Sequence, residues 1–519
     1  SRPAGAAAIA VIAALSCLQP SPSIAGPDVG LVSLDGSTTI EGELIDYDGK
    51  VYTLRTAVGV VKIDAAQVTC DGEGCPGQGG AGGQFDITGS NVIGDGLMPA
   101  LIEGYGDALD AIVLREVGAG INEHIYRVVD DAGSEIATIG VSAHGTATAY
   151  PALADGSAAI GIASSQMAGN EQGVTDMRGS AEEQILALDG LIAIVHPDNP
   201  VRILTIDQIA AIFAGRIVNW GEVGGRDQVI NLYTPDQSSG TLEVFNRLVL
   251  APRRLELADT AEQLGDHADL SDLVSIDPSG IGFTSFAFQR GAQAVAIRQP
   301  CGLISPPTTF AIKTEEYPLG RRLYTYAPDA AQTPRSRGFI DFTLSNAAQP
   351  IIGDAGFVDR SIETESIEVQ GGRLANSVTA EGDFSLPVFR EMLGELRGGA
   401  RLSITFRFNE GSSNLERRSQ SEAERFAQLL AQGVYRGKDI LLVGFTDSVG
   451  DFNVNRGLAE RRAHRVLETF NASVEAGALD TVPILAQSYG ELTPVGCNDT
   501  PQGRDLNRRV EVWIRDTRN

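Results

Sequence analysis

Basic side chains and histidines are scarce in this 519-residue chain. Its 40 Lys and Arg stand against 67 Asp and Glu, and the net charge of -27 argues against nucleic acid or anionic membranes as partners, because both attract basic surfaces. The five histidines are scattered and form no His-Glu-x-x-His pair, so a catalytic zinc is not expected. No set of nucleophile, base and metal ligands is visible, and we predict a protein that is not an enzyme and uses no metal or cofactor.

Long apolar runs are also missing, which argues against an integral membrane protein. The apolar run at residues 6–15 follows Arg2 and precedes Ser23-Ile24-Ala25, a small-x-small pattern typical of signal-peptide cleavage. The sequence therefore predicts a signal peptide over residues 1–25 and export of the rest. Cys17 leaves a lipid anchor open as an alternative, although the Leu usual three positions before such a cysteine is absent.

Only five cysteines are present, and four of them follow the predicted cleavage point. Cys70 and Cys75 flank four flexible residues, and in an oxidising compartment they can close a local disulfide. Their spacing does not fit a Cys-x2-Cys zinc knuckle. Cys301 and Cys497 lie in different segments, and the sequence leaves their pairing open.

The chain is longer than one hydrophobic core supports, so about three domains are expected. Residues 28–76 have the pattern of short strands separated by Asp-Gly turns, which predicts a small β-barrel-like module without chemistry of its own. After a glycine-rich linker, strands alternate with helices from residue 85 onward. This alternation is typical of α/β proteins built on a mostly parallel sheet.

Four turns rich in Ser, Thr and Gly precede helices in the first α/β region. Each exposes unpaired N–H groups and hydroxyl donors at the positive end of a helix, an arrangement that favours oxyanions. A single such turn is more often a plain helix cap. Because the pattern recurs within one region, we predict a small-anion site formed by residues 88–91, 144–146, 163–165 and 238–241.

An ordered set of motifs spans the same region: Asp189-Gly190-Leu191, Asn199-Pro200, Ile212-Phe213, Asn219-Trp220 and Ser239-Gly240-Thr241. In this order they resemble periplasmic phosphate-binding proteins of the PstS type, over about residues 84–360. The resemblance implies a two-lobed periplasmic-binding-protein domain that closes over phosphate or a similar oxyanion, with an ABC transporter permease as a possible partner. It also implies an anion site at Ser90, Thr146, Ser165, Ser239, Gly240 and Thr241.

Two departures from the PstS pattern concern the ligand. Pro235 stands where the family has an Arg, and the family's Asp that accepts a phosphate proton maps near Ser165. The first removes a charge-assisted donor, and the second removes discrimination against sulfate. Asp236 is a candidate replacement for the acceptor. Two alternatives therefore stay open: a cell-envelope scaffold or sensor whose lobes contact a protein instead of an anion, and a hydrolase of phosphate esters.

An acid and a base lie fifteen positions apart near the carboxyl end, at Asp447 and Arg462, on a predicted strand-loop-helix unit. An Asp at a strand tip accepts hydrogen bonds from an ammonium group, and an Arg on the next helix holds a carboxylate in a planar fork. The pair is therefore a candidate clamp for a free amino-acid end. The simpler alternative is that Asp447 caps a turn and Arg462 is a solvated helix residue.

The pair belongs to three ordered motifs: Thr446-Asp447 with Gly450, Asn455-x-x-Leu458-Ala459-x-x-Arg462, and Asn507-Arg508-Arg509-Val510-Glu511. They resemble the peptidoglycan-binding C-terminal domain of the OmpA family over about residues 399–519, with Ala459 where the family prefers Ser. The resemblance implies that Asp447 and Arg462 hold the diaminopimelate end of the wall peptide, with Asn455 and Arg508 lining the pocket. Residues 361–398 remain as a connector.

The predicted fold class is therefore α/β, a two-lobed binding domain followed by an OmpA-like domain, with a small all-β module in front. The function expected is noncatalytic capture of a small oxyanion, with phosphate as the first candidate, by a protein anchored to peptidoglycan. The predicted location is the periplasm of a Gram-negative bacterium, in association with the cell wall or outer membrane.

Overall fold

The computed structural model describes residues 28–33, 38–47, 51–56, 59–64, 67–71, 83–166, 181–237, 239–328, 331–379, 384–409 and 412–517. The predicted signal peptide at residues 1–25, the alternative anchor Cys17 and the predicted disulfide partner Cys75 lie outside these ranges. Those three expectations therefore stay predictions. Among the described residues, no helix has the length and apolar character needed to cross a bilayer.

Five antiparallel strands form the N-terminal module. They are β1 (Asp28–Ser33), β2 (Thr39–Tyr47), β3 (Val51–Thr56), β4 (Gly59–Asp64) and β5 (Val68–Asp71), in the order β4-β3-β2-β1-β5. Alternation along the strands places Leu31, Leu44 and Leu54 in one small core. The predicted all-β module is confirmed.

The following domain is built on one large sheet and one small one. Its strands are β6 (Phe85–Gly89), β7 (Ile112–Val117), β8 (Glu123–Val129), β9 (Glu135–Ser142), β10 (Ile160–Ala163), β11 (Ala181–Val195), β12 (Ile203–Thr205), β13 (Asn231–Pro235), β14 (Glu262–Leu264), β15 (Gly280–Ser285), β16 (Gln293–Ala294), β17 (Ala296–Arg298), β18 (Ile304–Ser305) and β19 (Gly320–Pro328). The large sheet runs β14-β13-β15-β11-β19-β10-β6-β9-β8-β7, with β16 beside β11, and β12, β17 and β18 form the small sheet.

The large sheet is mixed, so the expectation of a mostly parallel sheet is wrong. β6 pairs in parallel with β9 and β10, whereas β7, β8 and β9 form antiparallel hairpins and β11 pairs antiparallel with both β15 and β19. Alternation of strand and helix patterns suggests parallel crossovers, but it does not reveal which distant strands meet along an edge.

Helices pack against these strands, and several begin at a side chain that caps the first turn. Thr205 Oγ1, for example, accepts a hydrogen bond from the backbone N of Gln208 at 3.0 Å. The α-helices described in this domain are α1 (Asn91–Gly96), α2 (Met98–Ala108), α3 (Thr146–Asp155), α4 (Ile206–Phe213), α5 (Gly240–Phe245), α6 (His267–Ile276), α7 (Thr309–Lys313), α8 (Pro334–Leu344) and α9 (Ala348–Asp354).

Two hydrophobic cores divide the domain into lobes. Lobe I packs around β6, β8, β9 and α2, and lobe II packs around β15, α4 and the second half of β11. Leu186 of β11 belongs to the lobe I core, whereas Ile192 of the same strand belongs to the lobe II core. Leu323 of β19 lies in lobe I, and Leu319, just before that strand, lies in lobe II. The two-lobed fold is confirmed, with β11 and β19 passing between the lobes.

The C-terminal domain is a five-stranded sheet covered by helices. The strands are β20 (Thr364–Ser366), β21 (Ala400–Arg407), β22 (Lys438–Gly444), β23 (Ile484–Ser488) and β24 (Arg509–Asp516), in the order β20-β21-β24-β22-β23. The helices are α10 (Gly371–Thr379), α11 (Leu386–Leu396), α12 (Arg417–Ala431), α13 (Phe452–Ala472) and α14 (Pro501–Asn507). The segment predicted as a connector supplies β20, α10 and α11. It is part of this fold, because β20 pairs with β21 and Met392 shares a core with Trp513.

A disulfide between Cys301 and Cys497 ties lobe II to the C-terminal domain, with 5.6 Å between the two Cα atoms. Gln299 reinforces this junction, since its Nε2 donates to the carbonyl of Val495 at 3.1 Å and its Oε1 accepts from Cys497 N at 3.2 Å. The pairing that the sequence left open is thus decided by the docking of the two domains.

Candidate functional site

The Ser and Thr turns of lobe I meet the turn of lobe II at one buried point. Ser90 Oγ lies 2.6 Å from Ser164 Oγ, and the backbone N of Ser164 donates to Thr146 Oγ1 at 3.0 Å. A Cβ added to Gly240 would lie 3.5 Å from Thr146 Oγ1 and 3.7 Å from Ser164 Oγ. We call this region the cleft, formed by Ser90, Thr146, Ser164, Ser239, Gly240, Thr241 and Arg321.

Local geometry explains why these turns can approach so closely. Gly89, before Ser90, has a φ of +142°, and a Cβ there would lie 2.0 Å from the carbonyl oxygen of Ile162. Only glycine fits that position. On the lobe II side, Ser239 caps α5 by accepting a hydrogen bond from Thr241 N at 3.2 Å.

The structure brings Ser164 rather than Ser165 to the other hydroxyls. Ser165 is partly exposed, and its carbonyl accepts a hydrogen bond from the hydroxyl of Tyr150 at 3.3 Å. Successive residues leaving a strand point in opposite directions, so a shift of one position along the chain reverses which serine faces the cleft. The role predicted for Ser165 stays a prediction. Ser164 lies in the predicted turn but was not among the individual site residues that the resemblance implied.

Arg321 supplies a cation to the cleft, beside Thr241. Its Nη2 donates to Thr241 Oγ1 at 3.0 Å, and its Nε donates to Asp189 Oδ2 at 2.8 Å. Asp189 is fully buried and also accepts hydrogen bonds from Ser285 Oγ at 2.8 Å and from Phe286 N at 3.1 Å. Arg321 Nη1 is buried as well and has no hydrogen-bond partner among the described residues. A signal was available, because Arg321 stands in a strand whose other residues are mostly apolar.

A buried histidine supports the lobe II side of the cleft. His267 Nε2 lies 3.2 Å from Ser239 Oγ, and His267 Nδ1 lies 3.0 Å from Thr284 Oγ1. Burial, together with the nearby charge of Arg321, lowers the pKa of His267 to about 4, so the imidazole is neutral at neutral pH. Asp236 lies near enough to oppose this lowering of the pKa, and its predicted role as an acceptor stays a prediction.

The second site, which we call the clamp, consists of Asp447, Asn455, Arg462 and Arg508. Arg508 Nη1 donates to Asp447 Oδ2 at 2.9 Å, and Asn455 Nδ2 donates to the carbonyl of Asp447 at 3.3 Å. Asp447 follows β22, and Asn455 and Arg462 lie on α13, as the strand-loop-helix prediction requires. The helix lies tightly against the strand, because a Cβ on Gly444 would lie 2.3 Å from the carbonyl oxygen of Ala459.

Arg462 is fully buried, which excludes the solvated-helix interpretation. Its Nε and Nη2 both donate to the carbonyl of Ser412 at 3.1 Å, and its guanidinium lies 5.2 Å from the ring centroid of Phe408. Its Nη1 has no hydrogen-bond partner among the residues described. Burial and the neighbouring Arg508 charge lower the pKa of Arg462 to about 10, whereas the Asp447 charge opposes this lowering.

Two parts of the chain match known protein families. The model described as "PBP superfamily domain" matches residues 120–347, and the model described as "OmpA family" matches residues 407–508. The chain is 28% identical over 225 residues to "Phosphate-binding protein PstS" of Bacillus subtilis (strain 168), which covers 43% of this chain and 71% of that protein. It is also 28% identical over 240 residues to the protein of the same name from Pseudomonas aeruginosa PAO1, which covers 42% of this chain and 73% of that protein.

Solved structures also match both parts of the chain. An ABC-type phosphate transport receptor from Vibrio cholerae covers 53% of this chain and 99% of its own, at 24% identity and a TM-score of 0.41. The C-terminal domain of Helicobacter pylori MotB covers 22% of this chain and 84% of its own, at 27% identity and a TM-score of 0.19. The family and sequence matches confirm the predicted combination of a PstS-like binding domain and an OmpA family domain.

Proposed function

We propose that this chain, in which a PBP superfamily domain precedes an OmpA family domain, captures a small oxyanion in its cleft and binds peptidoglycan through its clamp. The observation that carries the first half is the buried meeting of hydroxyls from both lobes beside Arg321, whose Nη1 has no partner within the described ranges. A buried donor without a partner is costly, and a bound oxyanion would satisfy it.

The groups of the cleft have protons to donate to an anion. Thr241 Oγ1 accepts from Arg321 and Thr146 Oγ1 accepts from Ser164 N, so each hydroxyl keeps its own proton. Only one of Ser90 and Ser164 donates within their mutual contact, so the other hydroxyl proton is available. The two relatives named as phosphate-binding proteins support phosphate as the anion, and Pro235 in place of the family's Arg makes sulfate the competitor to test.

Isothermal titration of the full chain with inorganic phosphate and with sulfate tests the anion half. The double variant Asp189→Asn, Arg321→Gln removes both buried charges together, so that neither is left uncompensated. Loss of the charge-assisted donor should weaken anion binding by about 10- to 100-fold, the equivalent of ~1.5–3 kcal/mol.

Ser164→Ala and Ser165→Ala form a matched pair within the same titration. Ser164→Ala should weaken anion binding by about two- to ten-fold, because it removes one neutral hydrogen bond. Ser165→Ala should leave the affinity unchanged, because the carbonyl that Ser165 offers to Tyr150 remains. Equal effects of the two variants would contradict the geometry assigned to the cleft.

The clamp suits a ligand that carries an ammonium and a carboxylate on one carbon, as the free end of diaminopimelate does. Arg462 Nη1 is a buried donor available to a carboxylate, and the Asp447 carboxylate, now paired with Arg508, can accept from an ammonium. We expect the double variant Asp447→Ala, Arg462→Ala to weaken binding to purified cell wall by at least about 100-fold, since two charge-assisted contacts are removed.

A sedimentation assay with purified sacculi measures this effect. Arg465→Ala is the matched control, because Arg465 lies on the same helix, is exposed and pairs with Glu468 on the surface. It should sediment with the wall as wild type does. Retention of the double variant on the sacculi would mean that the wall is bound elsewhere.

The proposed location is the periplasm of a Gram-negative bacterium, in contact with the cell wall or outer membrane, and an ABC transporter permease is the proposed partner of the binding domain.

A second candidate function is that of a cell-envelope scaffold or sensor whose lobes contact a protein instead of an anion. Pro235, in place of the family's Arg, is the observation that favours it. Wall binding without heat from either anion would select that alternative.

A further inference from the structure

Two consecutive arginines on β19 face two different parts of the molecule. Arg321 points into the cleft and contacts Thr241 and Asp189. Arg322 contacts Glu315, with its Nε 2.7 Å from Oε1 and its Nη2 3.0 Å from Oε2. Successive side chains of a strand lie on opposite faces, which explains why the two arginines have different partners. Because both belong to β19, any displacement of this strand moves both of them.

Glu315 continues the contacts into the C-terminal domain. Its carboxylate also pairs with Arg418 of α12, and the carbonyl of Thr314 accepts from Arg407 Nη2 at 2.9 Å. Glu315 has a φ of +59°, a left-handed conformation that costs free energy for a residue other than glycine. Glu315, which contacts both domains, is thus held in a strained backbone conformation, and such conformations are common in segments that change conformation.

A second branch begins at the next residue and runs toward the clamp. Glu316 Oε2 accepts from Arg401 Nη1 at 3.2 Å, and Arg401 Nε lies 3.4 Å from Glu511 Oε2. Glu511 Oε1 accepts from Arg509 Nε at 2.8 Å. Arg401, Arg509 and Glu511 are fully buried, so their interactions are little screened by salt.

The second branch ends beside the clamp. The guanidinium of Arg509 lies 4.3 Å from the ring centroid of Phe445, two residues before Asp447, and Phe445 N donates to the carbonyl of Arg509 at 2.8 Å. The neighbouring residue Arg508 holds the Asp447 carboxylate itself. Contacts therefore connect Thr241 in the cleft with Asp447 in the clamp.

We propose that anion occupancy of the cleft and peptidoglycan occupancy of the clamp are energetically coupled through this ion-pair path. The inference rests on both halves of the proposed function. β11 and β19 are the strands that pass between the lobes, so an anion that recruits Arg321 and closes the lobes displaces β19 and, with it, Arg322 and Glu315. The Cys301–Cys497 disulfide holds lobe II against the C-terminal domain, so the displacement is borne by the ion pairs. Linkage requires the effect to be reciprocal.

The full chain tests this directly. The dissociation constants for inorganic phosphate, for sulfate and for a soluble muropeptide that contains diaminopimelate are each measured with and without a saturating amount of the other ligand class. The presence of one ligand should change the constant of the other by about five-fold or more, by the same factor in both orders of addition. If the dissociation constant of each ligand were unchanged by the other ligand, the coupling would be overturned and the proposed function would remain intact.

A variant then tests the path. Glu315→Gln with Glu316→Gln breaks both branches where they leave lobe II, while Arg418 keeps Glu422, Arg401 keeps Glu511 and the disulfide remains. Each ligand should still bind this variant alone, with a coupling factor close to one. The control is Asp439→Asn, which alters a buried ion pair of the C-terminal domain away from the path and should keep the full factor. Full coupling in the double variant would overturn the path. If wild type bound neither phosphate nor sulfate, the proposed function would fail together with the inference.

Discussion

Replacing Glu511 with glutamine should destabilise the C-terminal domain by about 3–5 kcal/mol, because it leaves buried cations without their counter-charge. The Glu511 carboxylate is fully buried and contacts Arg373, Arg401 and Arg509. It also accepts from Trp513 Nε1 at 2.9 Å. Hydrogen-exchange protection of the β24 amides measures the effect, because β24 lies inside the sheet, between β21 and β22.

The loss of stability caused by Glu511→Gln should depend on pH, because the pKa of the Glu511 carboxyl differs between the folded and the unfolded chain. Burial alone would raise that pKa, but the guanidinium groups of Arg373, Arg401 and Arg509 hold it well below its ordinary value of 4.5. A carboxyl with a lowered pKa in the folded state adds stability above its ordinary pKa and loses that contribution as the pH falls toward the folded value. The difference between wild type and Glu511→Gln should therefore be complete at neutral pH and shrink as the pH falls below 4.5.

Asp439→Asn is the matched control for this prediction. Asp439 pairs with Arg515, which keeps a second partner in Glu395 when the charge on Asp439 is removed. Asp439→Asn should lower the free energy of unfolding by about 1 kcal/mol, as the loss of one hydrogen bond does. If Glu511→Gln cost no more than this control, the three arginines around Glu511 would not depend on its charge.

Removing the Cys301–Cys497 disulfide should make opening of the domain junction easier by about 2–4 kcal/mol. The two cysteines are 196 residues apart in sequence, and closing so long a loop has a large entropic cost in the unlinked chain. The double variant Cys301→Ser, Cys497→Ser keeps the hydrogen bonds between Gln299 and residues 495 and 497. The junction should therefore still form but open more often.

Hydrogen exchange at residues 495–500 and 299–303 measures this opening. Cys70→Ser serves as the control, since Cys70 lies in the N-terminal module and its loss leaves the junction intact. We expect exchange at these residues to become faster in the Cys301→Ser, Cys497→Ser variant and to stay unchanged in Cys70→Ser. Unchanged exchange there would mean that the noncovalent contacts of the junction, including those of Gln299, hold it closed without the disulfide.

The clamp was largely predictable because its main parts are local. Asp447 lies in the loop after β22, and Arg462 lies on the next helix, so the spacing of fifteen positions already implies that the two residues belong to one strand-loop-helix unit. Its partner Arg508 was reached through a motif at the start of β24 rather than through spacing. The structure adds that Arg462 is buried against Phe408, which depends on how β21 packs against α13.

The cleft was predictable only in outline. Arg321 was missed because its partners Thr241 and Asp189 lie 80 and 132 positions away, and no local period connects such distances. Ser164 was missed because the direction of a side chain at the end of β10 depends on a shift of one residue. The mostly parallel sheet was a wrong expectation for a related reason, since strand order is a property of distant pairings.

The sequence by itself determined the order of the all-β module and the two α/β domains, and it placed Asp447 and Arg462 on one strand-loop-helix unit. Hydrophobic period and local motif spacing are enough for this, because each element is encoded by a short stretch of chain. The tertiary structure alone decided which serine meets Ser90 in the cleft, which arginine contacts Thr241 there and which two cysteines pair across the domain junction. These features depend on contacts between segments far apart in the chain. The burial and the charge compensation that stabilise such contacts exist only once both segments are folded.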